Sequence, residues 1–165
     1  MGKIVKIGKS KISGKGIFAT KDIRKGQLIF VMKGERITFK QMVKRVNQGA
    51  ERGSDPLQIG AKTYLDLDEF SRVFNHSCNP NSFIRGKDEL VSIRNIKSGE
   101  EITFDYSSTM DDNYQNASRG IWTNRCRCGA TNCRGSVDQF RFLPKRRREF
   151  YLKNKYAPDF ILKKF

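Results

Sequence analysis

"RVFNHSCNPN", Arg72 to Asn81, is the stretch on which the reading of this chain turns. It holds the only histidine, His76, and an isolated cysteine, Cys78. A polar run directly after an apolar approach is neither an ordinary strand nor an ordinary turn. The other three cysteines sit far downstream in "CRCGATNC", at Cys126, Cys128 and Cys133. Cys-x-Cys-x4-Cys sets three soft ligands on one tight loop, and Gly129 and Gly135 give the backbone freedom to wrap a metal. A structural zinc takes four ligands in a tetrahedron and favours cysteine sulfur. Three local cysteines leave one position, for which the chain offers Cys78 and His76. The competing reading is four reduced thiols with Cys78 in the core. The dense spacing favours zinc for the trio.

Outward from this stretch, 165 residues fit one domain with a real core and no need of disulfides. No apolar run nears the length of a membrane span, and the N-terminus lacks the continuous apolar stretch of a signal peptide. These features predict a soluble protein of the cytoplasm or nucleus whose cysteines are reduced or metal-bound. The net charge is +16, and it is uneven. Residues 1–26 and residues 141–165 each carry net +7, while 27–140 carry only net +2. Basic ends favour polyanions such as nucleic acid or its bound proteins, and "PKRRREF" is their densest run. Scattered lysines elsewhere read more simply as a solvated surface.

The chain reads mainly as short strands: "KIVKI", "QLIFVM", "TYLDL", "ELVSIRNI" and "EITFDY" are rich in Ile, Val, Phe and Tyr and bounded by Gly, Lys or Asp. One helix is clear. Thr38 and Gln41 have capping-box spacing, Phe39, Met42, Val43 and Val46 make one apolar face, and Gly49 can end it. Residues 49–60 read as a surface loop. Residues 107–125 are polar and irregular around the lone Trp122. From Pro144 the chain turns helical, with Phe150, Tyr151 and Tyr156 to dock on the body and Pro158 as a helix breaker.

Taken alone, Tyr106 in "GEEITFDY" is an amphipathic strand-end residue with its hydroxyl in water. Taken alone, "GKGIFA" (Gly14 to Ala19) is a glycine turn before a strand. It is no phosphate loop, because no Lys-Ser/Thr follows at the needed spacing. No paired carboxylates and no Ser-His-Asp set stand out.

Together, however, "GKGIFA", "RVFNHSCNPN", "GEEITFDY" and "CRCGATNCRG" resemble, in order and spacing, a SET-domain protein lysine methyltransferase with a post-SET zinc segment. The likeness runs over roughly residues 3–136. The size resembles the small single-domain members of bacteria, archaea and viruses. The resemblance implies a mostly β fold of several small sheets, with a pseudoknot that brings the Asn-His segment to the later tyrosine strand. It implies S-adenosylmethionine as methyl donor, bound by Lys15, Gly16, Ile17 and Phe18 of the turn and by Asn75 and His76. It implies Tyr106 as the catalytic tyrosine and Phe104 as the position that tunes methyl number. It implies Cys78 as the fourth zinc ligand beside Cys126, Cys128 and Cys133. Phe74, Phe104 and Met32 are expected at the substrate channel. Met32 stands where many members carry a tyrosine. Trp122 has two readings, against the cofactor or in the core.

The expected organisation is a SET domain over 1–107, a post-SET zinc segment over 108–136 and a basic C-terminal segment over 137–165. The expected activity is methyl transfer to a lysine of a protein substrate, such as a histone or another chromatin protein. Nucleic-acid contact through the basic termini and no membrane association are expected. The alternative is a catalytically weak SET-like module that binds nucleic acid or a protein through its basic ends. The intact Asn75, His76 and Tyr106 argue against it.

Overall fold

β-Branched and aromatic residues in short alternating runs make short strands, because each run can bury only one side. The computed structural model of the protein describes residues 4–49, 55–112 and 124–165. Among them lie twelve strands: β1 (Val5–Lys9), β2 (Lys15–Ala19), β3 (Leu28–Val31), β4 (Gly34–Thr38), β5 (Pro56–Gly60), β6 (Thr63–Leu67), β7 (Asn75–His76), β8 (Ser82–Arg85), β9 (Glu89–Ser92), β10 (Glu101–Phe104), β11 (Asn124–Arg125) and β12 (Ser136–Val137). Three helices join them: α1 (Phe39–Asn47), α2 (Lys145–Asn154) and α3 (Asp159–Lys164). The mostly β class expected from the sequence holds.

The strands form several small sheets. One runs β1-β2-β10-β7, a second β4-β6-β5 and a third β3-β9-β8, while β11 and β12 form a ribbon. Within the first sheet, β10 pairs antiparallel with β2 and parallel with β7, aligning Thr103 with Asn75 and Phe104 with His76. Parallel neighbours need a crossover. Here β8 and β9 supply it, so segments far apart in sequence meet edge to edge. One apolar core, including Ile17, Ile84, Leu90, Ile96 and Ile102, packs beneath these sheets, and each of those five is fully buried.

α1 begins as its capping box predicts. The Thr38 hydroxyl accepts from the Gln41 backbone N–H, and the Gln41 side chain accepts from the Thr38 N–H. Met42 is its fully buried anchor. The expected loop over 49–60 is corrected in its second half. There β5 pairs with β6 and buries Leu57 and Ile59, whose apolar surface outweighs the turn signals around them. Pro56 is tolerated as the first residue of that strand.

The C-terminal segment builds a core of its own from Phe140, Leu143, Tyr151, Ala157 and Ile161. Of the three aromatics expected to dock, Tyr151 is fully buried and Tyr156 packs on Phe83 with ring centres 4.6 Å apart. Phe150 is 38% exposed. Lys155, with φ at 56°, ends α2 in the left-handed region. Pro158 then opens α3 as well as interrupting the helical run.

Candidate functional site

The pairing of β7 with β10 sets the stage for a cavity of about 850 Å³. That volume lies in the range of small-molecule and cofactor sites. Phe74, Phe104 and Tyr106 form its aromatic wall, and Asn75, His76 and Lys15 also reach it. The structure thus gathers into one cavity residues from three of the four sequence motifs. Cys126 and Cys128 of the fourth line it as well. Other expected site residues lie elsewhere. Ile17 is fully buried in the main core, and neither Gly16, Phe18 nor Met32 lines the cavity. Met32 is 2% exposed and packs in the main core. Trp122 lies outside the described residues.

Asn75 turns its amide toward the glycine turn. Nδ2 donates to Glu101 Oε1 at 2.7 Å and to the Lys15 carbonyl at 2.9 Å. Glu101 also accepts from the Ser10 hydroxyl at 2.8 Å. This clasp explains Gly16. A Cβ there would stand 2.2 Å from Glu101 Oε1, so only glycine leaves room for the carboxylate. Asn81, at the other end of the run, reads β10 like a neighbouring strand. Its Nδ2 donates to the Glu101 carbonyl at 2.8 Å and its Oδ1 accepts from the Thr103 N–H at 2.9 Å. Sequence reasoning missed Glu101 and Asn81. Their only signal was a polar residue beside a strand, which is too common to single out.

Tyr106 is not the wet strand-end residue that its local sequence suggests. Its hydroxyl donates to the Phe74 carbonyl at 2.6 Å. Burial, together with the charges of Asp55 and Glu101, pushes its pKa above the ordinary phenol value. The phenol therefore stays protonated at neutral pH and acts through hydrogen bonding. The Tyr106 backbone N–H donates to His76 Nδ1 at 3.2 Å. That bond makes Nδ1 an acceptor and assigns the ring proton to Nε2, which lies 3.4 Å from Cys78 Sγ. Burial, with Arg134 nearby, lowers the His76 pKa to about 4 against the pull of Asp105, so the ring is neutral. The His76 ring and the Cys78 thiol thus lie on the same side of the segment. The ring is engaged by Tyr106 and Cys78, and His76 lines the cavity.

Four cysteines meet behind this wall. Cys78 Sγ is 3.7 Å from Cys126 Sγ, which is 3.6 Å from Cys133 Sγ. Sulfurs on a tetrahedral zinc, with bonds of about 2.3 Å, stand about 3.8 Å apart, so the spacing fits that ion. Cys128 Sγ accepts from the Cys78 N–H at 3.4 Å. Burial pushes the Cys78 thiol up to about 11 and Cys126 higher still. Burial also acts on Cys128, but N–H donors from Cys78 and Ala130 win and bring it to about 7. His76, Cys78, Cys126 and Cys128 also converge within 4.8 Å. The proton on Nε2 argues against His76 as a ligand and favours Cys133 beside the other three.

Zinc loop, Asn-His strand and aromatic wall together define a domain class. A family profile for the SET domain matches residues 14–107, and the chain belongs to that family. It is 32% identical over 149 residues to a variant-silencing SET domain-containing protein of Plasmodium falciparum, covering 79% of this chain and 6% of that protein. It is 31% identical over 142 residues to the H3 lysine-36 specific histone-lysine N-methyltransferase of Candida albicans, covering 78% of this chain and 16% of that protein. It is 31% identical over 152 residues to histone-lysine N-methyltransferase SUV39H2 of Xenopus tropicalis, covering 76% and 37%. The chain thus spans well under half the length of these relatives. Among solved structures, a chain of the Chaetomium thermophilum Polycomb Repressive Complex 2, bound to S-adenosylmethionine, superposes with a TM-score of 0.59 at 25% identity, over 67% of this chain and 16% of that one. KRYPTONITE, in complex with DNA, an H3 peptide and SAH, matches in fold with a TM-score of 0.61 at 22% identity, over 81% and 29%.

Proposed function

We propose that the chain is a protein-lysine N-methyltransferase that uses S-adenosylmethionine and acts on a histone or another nucleic-acid-associated protein. The observation that carries this reading is the Tyr106 hydroxyl held on the Phe74 carbonyl, at the wall of a cavity shared with Asn75, His76 and Lys15. Relatives named as histone-lysine methyltransferases support it, as does the related complex solved with S-adenosylmethionine.

When bound, S-adenosylmethionine supplies an electrophilic methyl group on a sulfonium. Lys15, Asn75 and the His76 main chain would hold it, Lys15 offering a cation for its carboxylate. The chain's own work is positioning and electrostatics. A target lysine has a reference pKa of about 10.4 and must lose its proton to react. The aromatic faces of Phe74 and Phe104 exclude water and disfavour its ammonium form. The Tyr106 hydroxyl and the Phe74 carbonyl orient the amine. The phenol is no general base, because its raised pKa opposes ionisation. Cys78, Cys126, Cys128 and Cys133 would hold a structural zinc that ties the Asn-His segment to the 126–133 loop.

The basic ends suit a target already on nucleic acid, since free histones are themselves basic and are repelled. In "PKRRREF" the charges divide. Arg147 donates to the Cys78 carbonyl at 2.9 Å and Arg148 to the Arg141 carbonyl at 3.0 Å, while Lys145 and Arg146 are exposed. No helix among the described residues is long and apolar enough to cross a membrane.

Labelled S-adenosylmethionine with a panel of histones and nucleosomes tests the reading. Transfer to lysine is expected from wild type. Tyr106→Phe should cut the rate by about a hundredfold or more while cofactor binding persists. Cofactor binding without transfer by wild type would favour the weak-module alternative.

A further inference from the structure

We propose that Arg125 and Arg127, on either side of Cys126, bind an acidic side chain that lies within two residues of the target lysine, so that the chain favours lysines with an Asp or Glu neighbour. The inference rests on the reading of the chain as a protein-lysine methyltransferase and names the class of substrate for that site.

The cavity is lopsided in charge. Four cations line it, Lys15, Arg72, Arg125 and Arg127, against one carboxylate among the described lining residues, Asp55. Arg72 is spent inside the fold, with Nη2 2.6 Å from Asp66 Oδ1. Lys15 belongs to the glycine turn, where its carbonyl holds Asn75, and faces the cofactor's carboxylate. Arg125 and Arg127 are different. Both are exposed, and neither makes an ion pair with another described residue.

Local structure sets their place in the cavity. Arg125 ends β11 and pairs with Ser136 of β12. The next backbone N–H, that of Cys126, donates to the Gly135 carbonyl at 3.0 Å. Cys126 is buried in a cluster with Cys78 and Val137, against which Tyr106 packs. The ribbon thereby carries the two arginines to the Tyr106 side of the cavity.

A target lysine arrives there as an ammonium. Two arginines repel it, and a basic neighbour on the substrate adds to the repulsion. A carboxylate neighbour reverses the sign. Guanidinium donates paired hydrogen bonds to a carboxylate, and a pair made at a cavity wall is less screened than one in open water. An extended peptide rises about 3.3 Å per residue, so a neighbour within two residues stays about 7 Å or less from the lysine. The arginines line a recess, which a peptide side chain enters and a duplex does not.

Short peptides with one central lysine, carrying Glu, Gln or Lys at either of the two neighbours on each side, test the proposal with labelled S-adenosylmethionine. Wild type should favour a Glu peptide over its Gln counterpart by about tenfold in kcat/KM, mostly through KM, and Lys peptides should be poorest. Arg125→Gln with Arg127→Gln should bring the Glu-to-Gln ratio to about one. KM for S-adenosylmethionine and bound zinc should stay as in wild type. Arg125→Glu with Arg127→Glu should turn the preference toward Lys peptides. Equal kcat/KM on Glu and Gln peptides by wild type overturns the proposal, as does a preference that survives in the double Gln variant. A raised KM for S-adenosylmethionine in that variant also overturns it, since the arginines would then hold the cofactor. No Glu preference in wild type, together with weaker duplex-DNA binding by the double Gln variant, would assign them to nucleic acid instead. If wild type transfers no methyl group, the methyltransferase reading fails. Fluorescence anisotropy of the same peptides with S-adenosylhomocysteine then decides: tighter binding of Glu peptides by wild type alone supports the proposal, and equal binding overturns it.

Discussion

Tyr106 and Gly16 show how single positions carry the site in different ways. Tyr106 is held at two points, its hydroxyl donating to the Phe74 carbonyl and its backbone N–H to His76 Nδ1. Gly16 acts by having no side chain. Its missing Cβ admits Glu101, which holds Ser10 and Asn75 and so sets the shape of the turn beside the cavity. Gly16→Ala should leave the fold intact, because the Glu101 carboxylate can swing away. The lost hydrogen bonds should cost about 1 kcal/mol in stability. Binding of S-adenosylmethionine should weaken by about tenfold, since Asn75 loses its tether. Calorimetric titration beside a melting curve separates the two effects, and wild-type affinity in the mutant would show that the clasp does not shape the site. Met32 makes the contrary point. The motif alone suggested a channel residue. In the folded chain it is 2% exposed within the core, where a tyrosine would overpack its neighbours and bury a hydroxyl.

At the scale of elements, the zinc loop and the strand pairing divide what the sequence made legible from what it hid. The capping box at Thr38 and Gln41 was legible because both partners lie within one turn. The Cys-x-Cys-x4-Cys loop was legible for the same reason, since its ligands are local. Cys78 was assigned to the cluster by resemblance, and its thiol stands 3.7 Å from Cys126 across 48 residues of chain. Distance in sequence also hid the Glu101 clasp, whose partners meet through the β2-β10-β7 arrangement, and the Asp105 contacts, which Arg134 and Tyr151 of the later chain supply. β5 was hidden because turn residues precede it while its burial depends on β6. The zinc reading has a direct check. Purified protein should carry one zinc per chain by elemental analysis. Cys78→Ser should release it at a markedly lower chelator concentration and loosen the 126–133 loop, because a hydroxyl replaces the thiolate that zinc favours. Metal-free wild type with an unchanged melting temperature would sink the four-cysteine site.

The whole molecule is polarised by charge. The body between residues 27 and 140 is nearly neutral, while the two ends together carry most of the +16. In the folded chain the C-terminal charges are not one undivided patch. Arg147 and Arg148 are spent on carbonyls of the body, and Arg141 and Lys164 hold the buried Asp111. Lys145, Arg146 and Lys153 remain outward on α2. Arg146 and Lys153, seven residues apart, share one side of the helix, and Lys145 stands next to Arg146 at its start. Charges so placed engage phosphates and release counterions, without reading base sequence. The triple variant Lys145→Ala, Arg146→Ala, Lys153→Ala touches none of the cavity residues. It should weaken binding to duplex DNA at every sequence tested and reduce the slope of log affinity against log salt by about 2 to 3. Methylation of a short lysine peptide should be unchanged, while methylation of the same lysine on a nucleosome should fall and become less sensitive to salt. Equal losses on peptide and nucleosome would mean that α2 serves the fold or the site, and that its outward charges do not recruit a nucleic-acid-bound substrate.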